Sequence, residues 1–221
     1  MISIAIDGPG GAGKSTIART AAKQLGYIYV DTGALYRAIG LFALRSGVVP
    51  SDRENVLPLL NRICLDLVFQ NHEQRVLLCE EDVSLAIREP EVSMAASDVS
   101  AIPEVRDYLF DLQRSFAAKN NVIMDGRDIG TVVLPNADLK IFLTASEEER
   151  ARRRFVELKQ KGATDTFEEV LADLKQRDYN DSHRAVAPLR QADDAVLVDT
   201  TGNTLEQSID LVISMIKELK Q

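Results

Sequence analysis

A glycine-rich stretch near the amino terminus constrains the fold of this chain more than any other feature. Residues 8–15 read Gly-Pro-Gly-Gly-Ala-Gly-Lys-Ser and have the spacing G-x-x-x-x-G-K-S of a phosphate-binding loop. The apolar run 2–6 before it is typical of a buried strand, and residues 16–23 after it are typical of a helix. Because a strand, a glycine turn and a helix form the context that this motif requires, the stretch predicts a P-loop.

Each residue type in this loop suits the binding of a nucleoside triphosphate. Glycines allow positive φ angles and close backbone approach, so successive N–H groups can converge on phosphate oxygens. The helix that begins near Lys14 adds unpaired N–H groups and the positive end of its dipole. We expect Lys14 to contact the β- and γ-phosphates and the Ser15 hydroxyl to bind Mg²⁺. The predicted donor-binding residues of the loop are Gly8, Pro9, Gly10, Gly11, Ala12, Gly13, Lys14, Ser15 and Thr16.

Length, composition and charge narrow the class of protein. The 221 residues can form one core with an insertion or two small domains, and 45% hydrophobic with 27% charged residues is ordinary for a soluble globular protein. No apolar run reaches about 18 residues and no signal peptide is evident, so we expect a cytoplasmic protein without a membrane span. The net charge of −8 argues against a nucleic-acid-binding surface.

The cysteines and histidines form neither a disulfide pattern nor a metal pattern. Cys64 and Cys79 are too few for a disulfide framework and lack metal-ligand spacing, so we expect both to be buried as ordinary apolar packing residues. His72 and His183 lack partners at useful spacing, and we assign both to solvent or to lid structure.

Five apolar runs alternate with helical patterns along the chain, at residues 2–6, 27–31, 122–125, 140–144 and 195–199. This alternation predicts an α/β fold: a P-loop NTPase-type, doubly wound sheet of five buried parallel strands in a single domain over residues 1–221. Residues 55–97 are predicted as a small inserted α/β subdomain with a hairpin. Two helices joined by a flexible turn predict a helical lid over residues 150–184.

Polar side chains follow two of the predicted strands. Asp31 and Thr32 are plausible N-caps of the next helix. Arg37 lies in the first turn of that helix and opposes its dipole, so an anionic partner would account for its position. The loop 126–130 follows the strand 122–125, and ligands of open α/β sheets bind at the carboxyl ends of strands.

Arginines are more numerous at element ends than one bound triphosphate requires. Arg150, Arg153 and Arg154 share one helix face, which is either a solvated basic face or part of a lid. The Arg, Asp and Arg at 177, 181 and 184 have the spacing of a structural ion-pair ladder, which is an equally good interpretation. Further arginines are Arg37, Arg106 and Arg127. A second anionic ligand is the economical explanation.

The nature of that second ligand limits the chemistry. A phosphate monoester already carries an ionised oxygen and needs no general base, which fits a sequence without a His- or Cys-centred catalytic pair. Catalysis would then consist of positioning the reactants and neutralising charge, with lid closure excluding water. These features predict a nucleoside monophosphate kinase.

Four motifs carry a resemblance to a known family. They are residues 7–15, 31–37 (Asp-Thr-Gly-Ala-Leu-Tyr-Arg), 125–131 (Asp-Gly-Arg-Asp-Ile-Gly-Thr) and 184–189 (Arg-Ala-Val-Ala-Pro-Leu). Together and in this order they resemble the bacterial cytidylate kinases, and the similarity runs nearly end to end. The resemblance implies transfer of the γ-phosphoryl group of ATP to CMP or dCMP with Mg²⁺, and a monophosphate-binding role for the insertion 55–97.

The resemblance also implies roles for individual residues. Those matching Arg37, Arg127 and Arg184 hold the acceptor phosphate, those matching Ser97, Arg106 and Asp128 read the cytosine edge, and those matching Arg177 and Asp181 reach the sugar. Thr32, Tyr36 and Gly126 complete the implied CMP-binding set. Lys14, Arg127, Arg153 and Arg184 are the implied catalytic residues, and Arg153 also belongs to the ATP-binding set.

Base selection has a physical basis. Asp128 can accept a hydrogen bond from the cytosine amino group, whereas uracil would present a carbonyl lone pair to it. Thr32 stands where relatives often have Ser, and because the hydroxyl is kept we expect a small effect.

Two alternatives stay open at the level of sequence. The acceptor could be UMP, AMP or a metabolite without phosphate. A GTPase-type switch is the alternative from another class, although the N-K-x-D guanine motif of such proteins is missing from the sequence. We expect a monomer that binds neither nucleic acid nor membrane.

Overall fold

The computed structural model describes residues 1–70, 73–160 and 162–219. Its strands are β1 (Ser3–Asp7), β2 (Ile28–Asp31), β3 (Leu65–Gln70), β4 (Glu73–Leu78), β5 (Glu81–Asp82), β6 (Val122–Gly126), β7 (Leu139–Thr144) and β8 (Val196–Asp199). Its α-helices are α1 (Lys14–Leu25), α2 (Thr32–Arg45), α3 (Arg53–Leu60), α4 (Pro90–Ser100), α5 (Pro103–Lys119), α6 (Glu147–Gln160), α7 (Phe167–His183) and α8 (Leu205–Glu218). A 3₁₀ turn covers Ala86–Arg88 and a π-helical turn covers Ile129–Val133. The prediction for His72 lies outside the described residues.

Five strands form one parallel sheet in the order β2-β6-β1-β7-β8, so the predicted α/β fold class is confirmed. Asp31 of β2 is in register with Asp125 of β6, and Asp7 of β1 is in register with Gly126. Because all strands are parallel, these residues meet at one edge of the sheet, the carboxyl edge. The P-loop leaves β1 at the same edge.

Alternating side chains of β1 pack on both faces of the sheet. Ile4 and Ile6 join a core with α1 and α8, whereas Ala5 joins the core that contains α2 and α5. This second core extends into the segment between α2 and α5, where Val76 and Val83 are buried. Helices therefore cover both faces, as the doubly wound arrangement requires.

The segment between α2 and α5 contains α3, the antiparallel sheet β3-β4-β5, the 3₁₀ turn and α4. Helix α4 packs closely on α2, since a Cβ added to Gly40 would lie 3.0 Å from Cβ of Ala95. The helical region that we interpret as a lid consists of α6 and α7.

Two predictions about burial are wrong. The strand β8 is not fully buried, because it forms the sheet edge and leaves Val196 45% and Leu197 55% exposed. Cys64 and Cys79 are exposed, because they lie one position beyond the buried pair Leu65 and Leu78, at the end of the β3–β4 ladder. None of the helices in the described ranges is both long and apolar enough for a membrane span.

Candidate active site

The carboxyl edge of the sheet opens into a cleft of about 1120 Å³. It brings together most residues that the sequence analysis assigned to the two nucleotides. Those that line it are Gly10, Gly11, Gly13, Lys14, Ser15, Thr16, Thr32, Tyr36, Arg37, Ser97, Gly126, Arg127, Asp128, Arg153, Arg177, Asp181 and Arg184. Four of the assigned residues are not among those that line the cleft: Gly8, Pro9, Ala12 and Arg106. Of these, Ala12 and Arg106 are buried.

The P-loop has the backbone geometry of a phosphate cradle. Gly8 adopts φ +146°, and a Cβ there would lie 2.0 Å from the carbonyl oxygen of Leu143. Gly13 adopts φ +91° as the N-cap of α1, whose first N–H groups therefore face the cleft without a side-chain cap. Free N–H groups at a helix N-terminus, next to glycines with positive φ, are a binding site for phosphate.

Lys14 is a buried cation at the centre of this cradle. Its Nζ donates to the carbonyl oxygen of Pro9 at 2.7 Å. Burial, followed by repulsion from Arg127, lowers the pKa of Lys14 to about 7, while Asp125 acts in the opposite direction. A buried cation with a depressed pKa gains stability when an anion binds beside it.

Asp125, near the end of β6, also lines the cleft, although the sequence analysis assigned it no role. Its carboxylate accepts hydrogen bonds from the Ser15 hydroxyl at 2.8 Å and from the Tyr29 hydroxyl at 2.9 Å. Burial, with the nearby charge of Asp31, raises the pKa of Asp125. The sequence does indicate this position, because an acidic residue that directly follows the apolar run 122–124 lies at the carboxyl end of a strand, where ligands of such sheets bind.

Arg37 already has an anionic partner within the chain. It donates to Asp31 Oδ2 at 2.7 Å, and Asp31 also caps α2 by accepting from the N–H of Ala34 at 2.9 Å. Although burial opposes the effect, the guanidinium groups of Arg37 and Arg88 lower the pKa of Asp31. The expectation that Arg37 lies in the first helical turn is wrong, because α2 begins at Thr32 and Arg37 is in its second turn; its anionic partner is the capping residue Asp31.

The predicted ion-pair ladder along α7 is wrong. Asp181 pairs with Arg127 across the cleft at 2.7 Å, and no ion pair between Asp181 and Arg177 is present in the described structure. Arg177 Nε has no hydrogen-bond partner among the described residues. Burial and the neighbouring Arg127 lower the pKa of Arg177 to about 10. Arg177 is therefore a half-buried cation whose buried Nε has no hydrogen-bond partner among the described residues.

Asp128 lies between two arginines that the sequence places far apart. Arg106 forms a close ion pair with it, and Arg184 lies at 3.4 Å. Burial raises the pKa of Asp128, against the effect of both guanidinium groups. Both arginines also reach Ser100, Arg106 at its carbonyl oxygen and Arg184 at its hydroxyl, each at 3.4 Å. Arg106 additionally lies 5.7 Å from the ring centroid of Tyr36.

The floor of the cleft around Gly126 is tightly packed. A Cβ added to Gly126 would lie 2.7 Å from both Ile129 Cδ1 and Thr32 Oγ1, so no larger residue fits. The Thr32 hydroxyl donates to the carbonyl oxygen of Asp125 at 2.8 Å. The carbonyl oxygen of Ser97 accepts from Ser100 at 2.8 Å. The hydroxyl of Thr32 thus fixes the strand end beside the cleft.

Arg150, Arg153 and Arg154 of α6 have different environments, so the interpretation as a uniformly solvated basic face is wrong. Arg150 is buried and donates to the carbonyl oxygen of Gly10 at 2.9 Å and to Asp178 at 2.5 Å. Arg153 donates to Thr200 at 2.8 and 3.0 Å. Arg154 pairs with Glu157 at 2.9 Å.

His183, at the end of α7, stacks on Tyr179 with ring centroids 4.0 Å apart.

These features define a cleft for two anions. One end has the P-loop and Lys14, and the other has the cluster of Arg37, Arg127, Arg177 and Arg184. Neither His nor Cys is among the residues that line the cleft, within the part of the chain that the structure describes. The site can therefore hold and neutralise phosphates, but it has no side chain suited to covalent catalysis by a thiol or imidazole.

Comparisons with known proteins agree on one family. The family model described as Cytidylate kinase matches residues 4–218. A cytidylate kinase from Caldicellulosiruptor bescii is 53% identical over 214 residues, covering 97% of this chain and 95% of that protein. A cytidylate kinase from an Exiguobacterium species is 50% identical over 219 residues, covering 99% and 98%.

A solved structure has a similar fold at low sequence identity. The crystal structure of a protein from Eubacterium ventriosum, titled as uncharacterized, superposes with a TM-score of 0.55 at 12% identity and covers 98% of this chain and 99% of that one. At such an identity, the likeness supports the fold alone.

Proposed function

This chain belongs to the cytidylate kinase family, and from that premise we propose that it transfers the γ-phosphoryl group of ATP to CMP or dCMP. It is a nucleoside monophosphate kinase, a phosphotransferase. The observation that carries the assignment of the site is the single cleft, in which a P-loop faces a cluster of arginines from four other elements.

The P-loop end binds the donor. Its free N–H groups and the Lys14 ammonium cradle the β- and γ-phosphates of ATP. Lys14 then leaves the carbonyl oxygen of Pro9 for the phosphates, and the charge it meets there restores its pKa. The Arg153 side chain, which lines the cleft beside Gly13, is part of the donor site in this proposal.

Ser15 and Asp125 fit a magnesium ion. Among the described residues no group of three or more His, Cys, Asp or Glu side chains could hold a metal by itself. Mg²⁺ in kinases, however, takes one or two protein oxygens and completes its shell with water and substrate phosphates, which suits a hydroxyl and a carboxylate 2.8 Å apart. When bound, Mg²⁺ would neutralise charge on the β- and γ-phosphates.

The arginine end binds the acceptor phosphate. Arg37, Arg127 and Arg184 line the cleft, and they exchange their internal carboxylate partners for the phosphate oxygens of CMP. An acceptor oxygen forms the new bond to the γ-phosphorus, and the bridging bond to the β-phosphate breaks with its electron pair leaving on ADP. The nucleophile is already ionised, so the lack of a base is no obstacle.

Asp128 and its neighbours select the base. The Asp128 carboxylate accepts from the amino group of cytosine, while Arg106 and Ser97 contact the rest of the base edge. Uracil places a carbonyl oxygen opposite this carboxylate and is disfavoured by an unpaired buried acceptor. Arg177 and Asp181 are assigned to the sugar.

Every side chain of this proposal comes from a single chain, so we propose that a monomer is sufficient for activity. Cytoplasmic residence stays a prediction from the sequence.

The test is a coupled ADP-release assay with ATP and a panel of CMP, dCMP, UMP and AMP. We expect turnover with CMP or dCMP to exceed that with UMP by at least about tenfold in kcat/KM, as one mismatched hydrogen-bonding group usually costs. A preference for AMP would contradict the role of Asp128. Tight GTP binding without transfer to any monophosphate would favour a GTPase-type switch instead.

A further inference from the structure

Asp7, the last residue of β1, is a buried carboxylate that the proposed mechanism does not use. Its two oxygens accept hydrogen bonds from the backbone N–H groups of Ile129 at 2.8 Å and Gly130 at 2.7 Å. These are the first two residues of the π-helical turn Ile129–Val133. Asp7 therefore caps a turn that lies more than a hundred residues away in sequence.

The residue that would ordinarily cap this turn is Asp128. It occupies the N-cap position, and its carbonyl oxygen accepts from the N–H of Val132 at 2.9 Å. An aspartate at an N-cap usually accepts from the second or third N–H of the turn with its own carboxylate. The Asp128 side chain makes no such bond, because it points to Arg106 and Arg184 in the cleft.

Gly130 is the second residue of the turn, so its N–H is one from which the Asp128 carboxylate would ordinarily accept, and the two carboxylates compete for this donor. With Asp7 in place, the N–H groups of Ile129 and Gly130 are already satisfied, and Asp128 is left for the cleft. The contact is close, since a Cβ added to Gly130 would lie 3.3 Å from Asp7 Oδ2 and 3.1 Å from Lys140 Cδ. A side chain at residue 130 would therefore require Asp7 or Lys140 to shift by a few tenths of an ångström.

We propose that Asp7 is a positioning residue for base selection: it caps the turn after Asp128 and so keeps the Asp128 carboxylate in the cleft, where it can meet the amino group of the acceptor base. This inference rests on the proposed function, because Asp128 selects cytosine only if CMP is the acceptor.

Asp7 needs its full acceptor capacity for this role. Burial raises the pKa of Asp7 to about 6, against the N–H groups of Gly130 and Ile129, and the charge of Asp128 acts in the same direction as burial. At pH 8 the carboxylate is ionised and can accept from both N–H groups. An asparagine has one acceptor oxygen and a donor amide, so it leaves one N–H without a partner. When the unpaired N–H is that of Gly130, it becomes available to the Asp128 carboxylate.

An exposed carboxylate that binds the other end of β1 offers a control. Asp138 accepts from the N–H of Ser3 at 2.7 Å and from its hydroxyl at 3.0 Å, at the opposite end of β1 and away from the cleft. Asp138→Asn removes a comparable bond between a carboxylate and the backbone. It leaves the contacts of Asp128 intact.

The experiment measures steady-state kinetics of the wild type, Asp7→Asn and Asp138→Asn at pH 8, with CMP and UMP as acceptors. For Asp7→Asn we expect kcat/KM for CMP to fall about tenfold and the ratio of CMP to UMP to fall by a similar factor, as expected when a polar contact to the base is lost. The KM for ATP should stay within about twofold. Asp138→Asn should keep the wild-type ratio, whatever its thermal stability.

A merely structural role would lower the active fraction of Asp7→Asn without moving KM for CMP or the CMP to UMP ratio, and that result overturns the inference. Equal changes in both variants also overturn it. Should Asp7→Asn fail to fold, Gly130→Ala is the deciding variant, because its methyl group pushes the turn from Asp7: a lowered ratio supports the inference and an unchanged ratio contradicts it. If the wild type does not prefer CMP to UMP, the proposed function fails first.

Discussion

The donor and acceptor ends of the cleft hold their positive charge in opposite ways. At the donor end, Lys14 is buried, its only hydrogen-bond partner among the described residues is the carbonyl oxygen of Pro9, and its pKa is depressed to about 7. At the acceptor end, Arg37, Arg127 and Arg184 are each paired with an aspartate of the chain. At the donor site, Lys14 therefore gains an anionic partner when the nucleotide binds. At the acceptor site, each arginine exchanges an aspartate for a phosphate oxygen.

The difference follows from how each end is built. The donor end is one contiguous loop, whose backbone supplies most of the binding groups. The acceptor end gathers side chains from the loop after β6, from α2, from α7 and from the segment after α7, and long side chains need fixed partners to be held in place before the substrate arrives. Removing a cation should therefore have different costs at the two ends.

Lys14→Met should have the largest effect on catalysis and little cost in stability. Turnover should fall by at least about 10³-fold, because a charge that stabilises the transferring phosphoryl group is lost. The free energy of unfolding should be unchanged or higher, since the variant no longer buries a cation with a depressed pKa. Assays of ADP release and urea unfolding measure the two quantities. A strongly destabilised variant would contradict the proposed contrast.

Arg127→Ala should lower both activity and stability. The change leaves Asp181, which is 7% exposed, without its ion-pair partner. Removing one member of a buried pair costs about 3 kcal/mol or more, because the other charge stays buried. Urea unfolding at pH 8 should show this loss, and Arg127→Lys should recover part of it. A variant as stable as the wild type would show that the acceptor arginines are not held by their aspartates.

Proton uptake on nucleotide binding should differ between the donor end and the acceptor end, and we expect this effect to be of intermediate size among the predictions. The unfolded chain holds the Lys14 proton up to about pH 10.5, whereas the folded chain without ligand holds it only up to about pH 7. Lys14 thus lowers stability below pH 7, and this cost disappears as the pH rises towards 10.5.

At pH 8, ATP should restore the Lys14 proton, so binding takes up close to one proton. CMP should take up far less, because the pKa of Arg177 is about 10 and that group stays charged. Calorimetry in two buffers of different ionisation enthalpy measures both values. Equal proton uptake on binding of ATP and of CMP would contradict the proposed difference between the donor and acceptor ends.

Tyr29→Phe should have the smallest effect. The Asp125 carboxylate keeps the Ser15 hydroxyl but loses the bond from Tyr29, which is worth about 1 kcal/mol. We expect a few-fold rise in the Mg²⁺ concentration that gives half-maximal activity, with KM for CMP unchanged. An equal change in both constants would show that Tyr29 acts on the whole site.

Local motifs explain why much of this could be predicted. The P-loop and the strand alternation depend on neighbouring residues, so the sequence predicted the cradle, the parallel sheet and the edge at which the ligands meet. Of the two interpretations of Arg177, Asp181 and Arg184, the ion-pair ladder is wrong, because helical spacing favours Arg177 as the partner of Asp181 whereas the fold brings Arg127 from 54 residues away. The capping of a distant turn by Asp7 and the exposure of Cys64 depend in the same way on long-range packing.

The central claim is that both nucleotides bind in one cleft with their phosphates adjoining. A bisubstrate compound that joins adenosine and cytidine through five phosphates tests it directly by calorimetry. We predict that it binds at least about 100-fold more tightly than ATP or CMP alone, since the second contact becomes intramolecular. We also predict that Lys14→Met and Arg127→Ala each abolish this gain. Binding no tighter than that of ATP, or a gain that survives Arg127→Ala, would contradict the account.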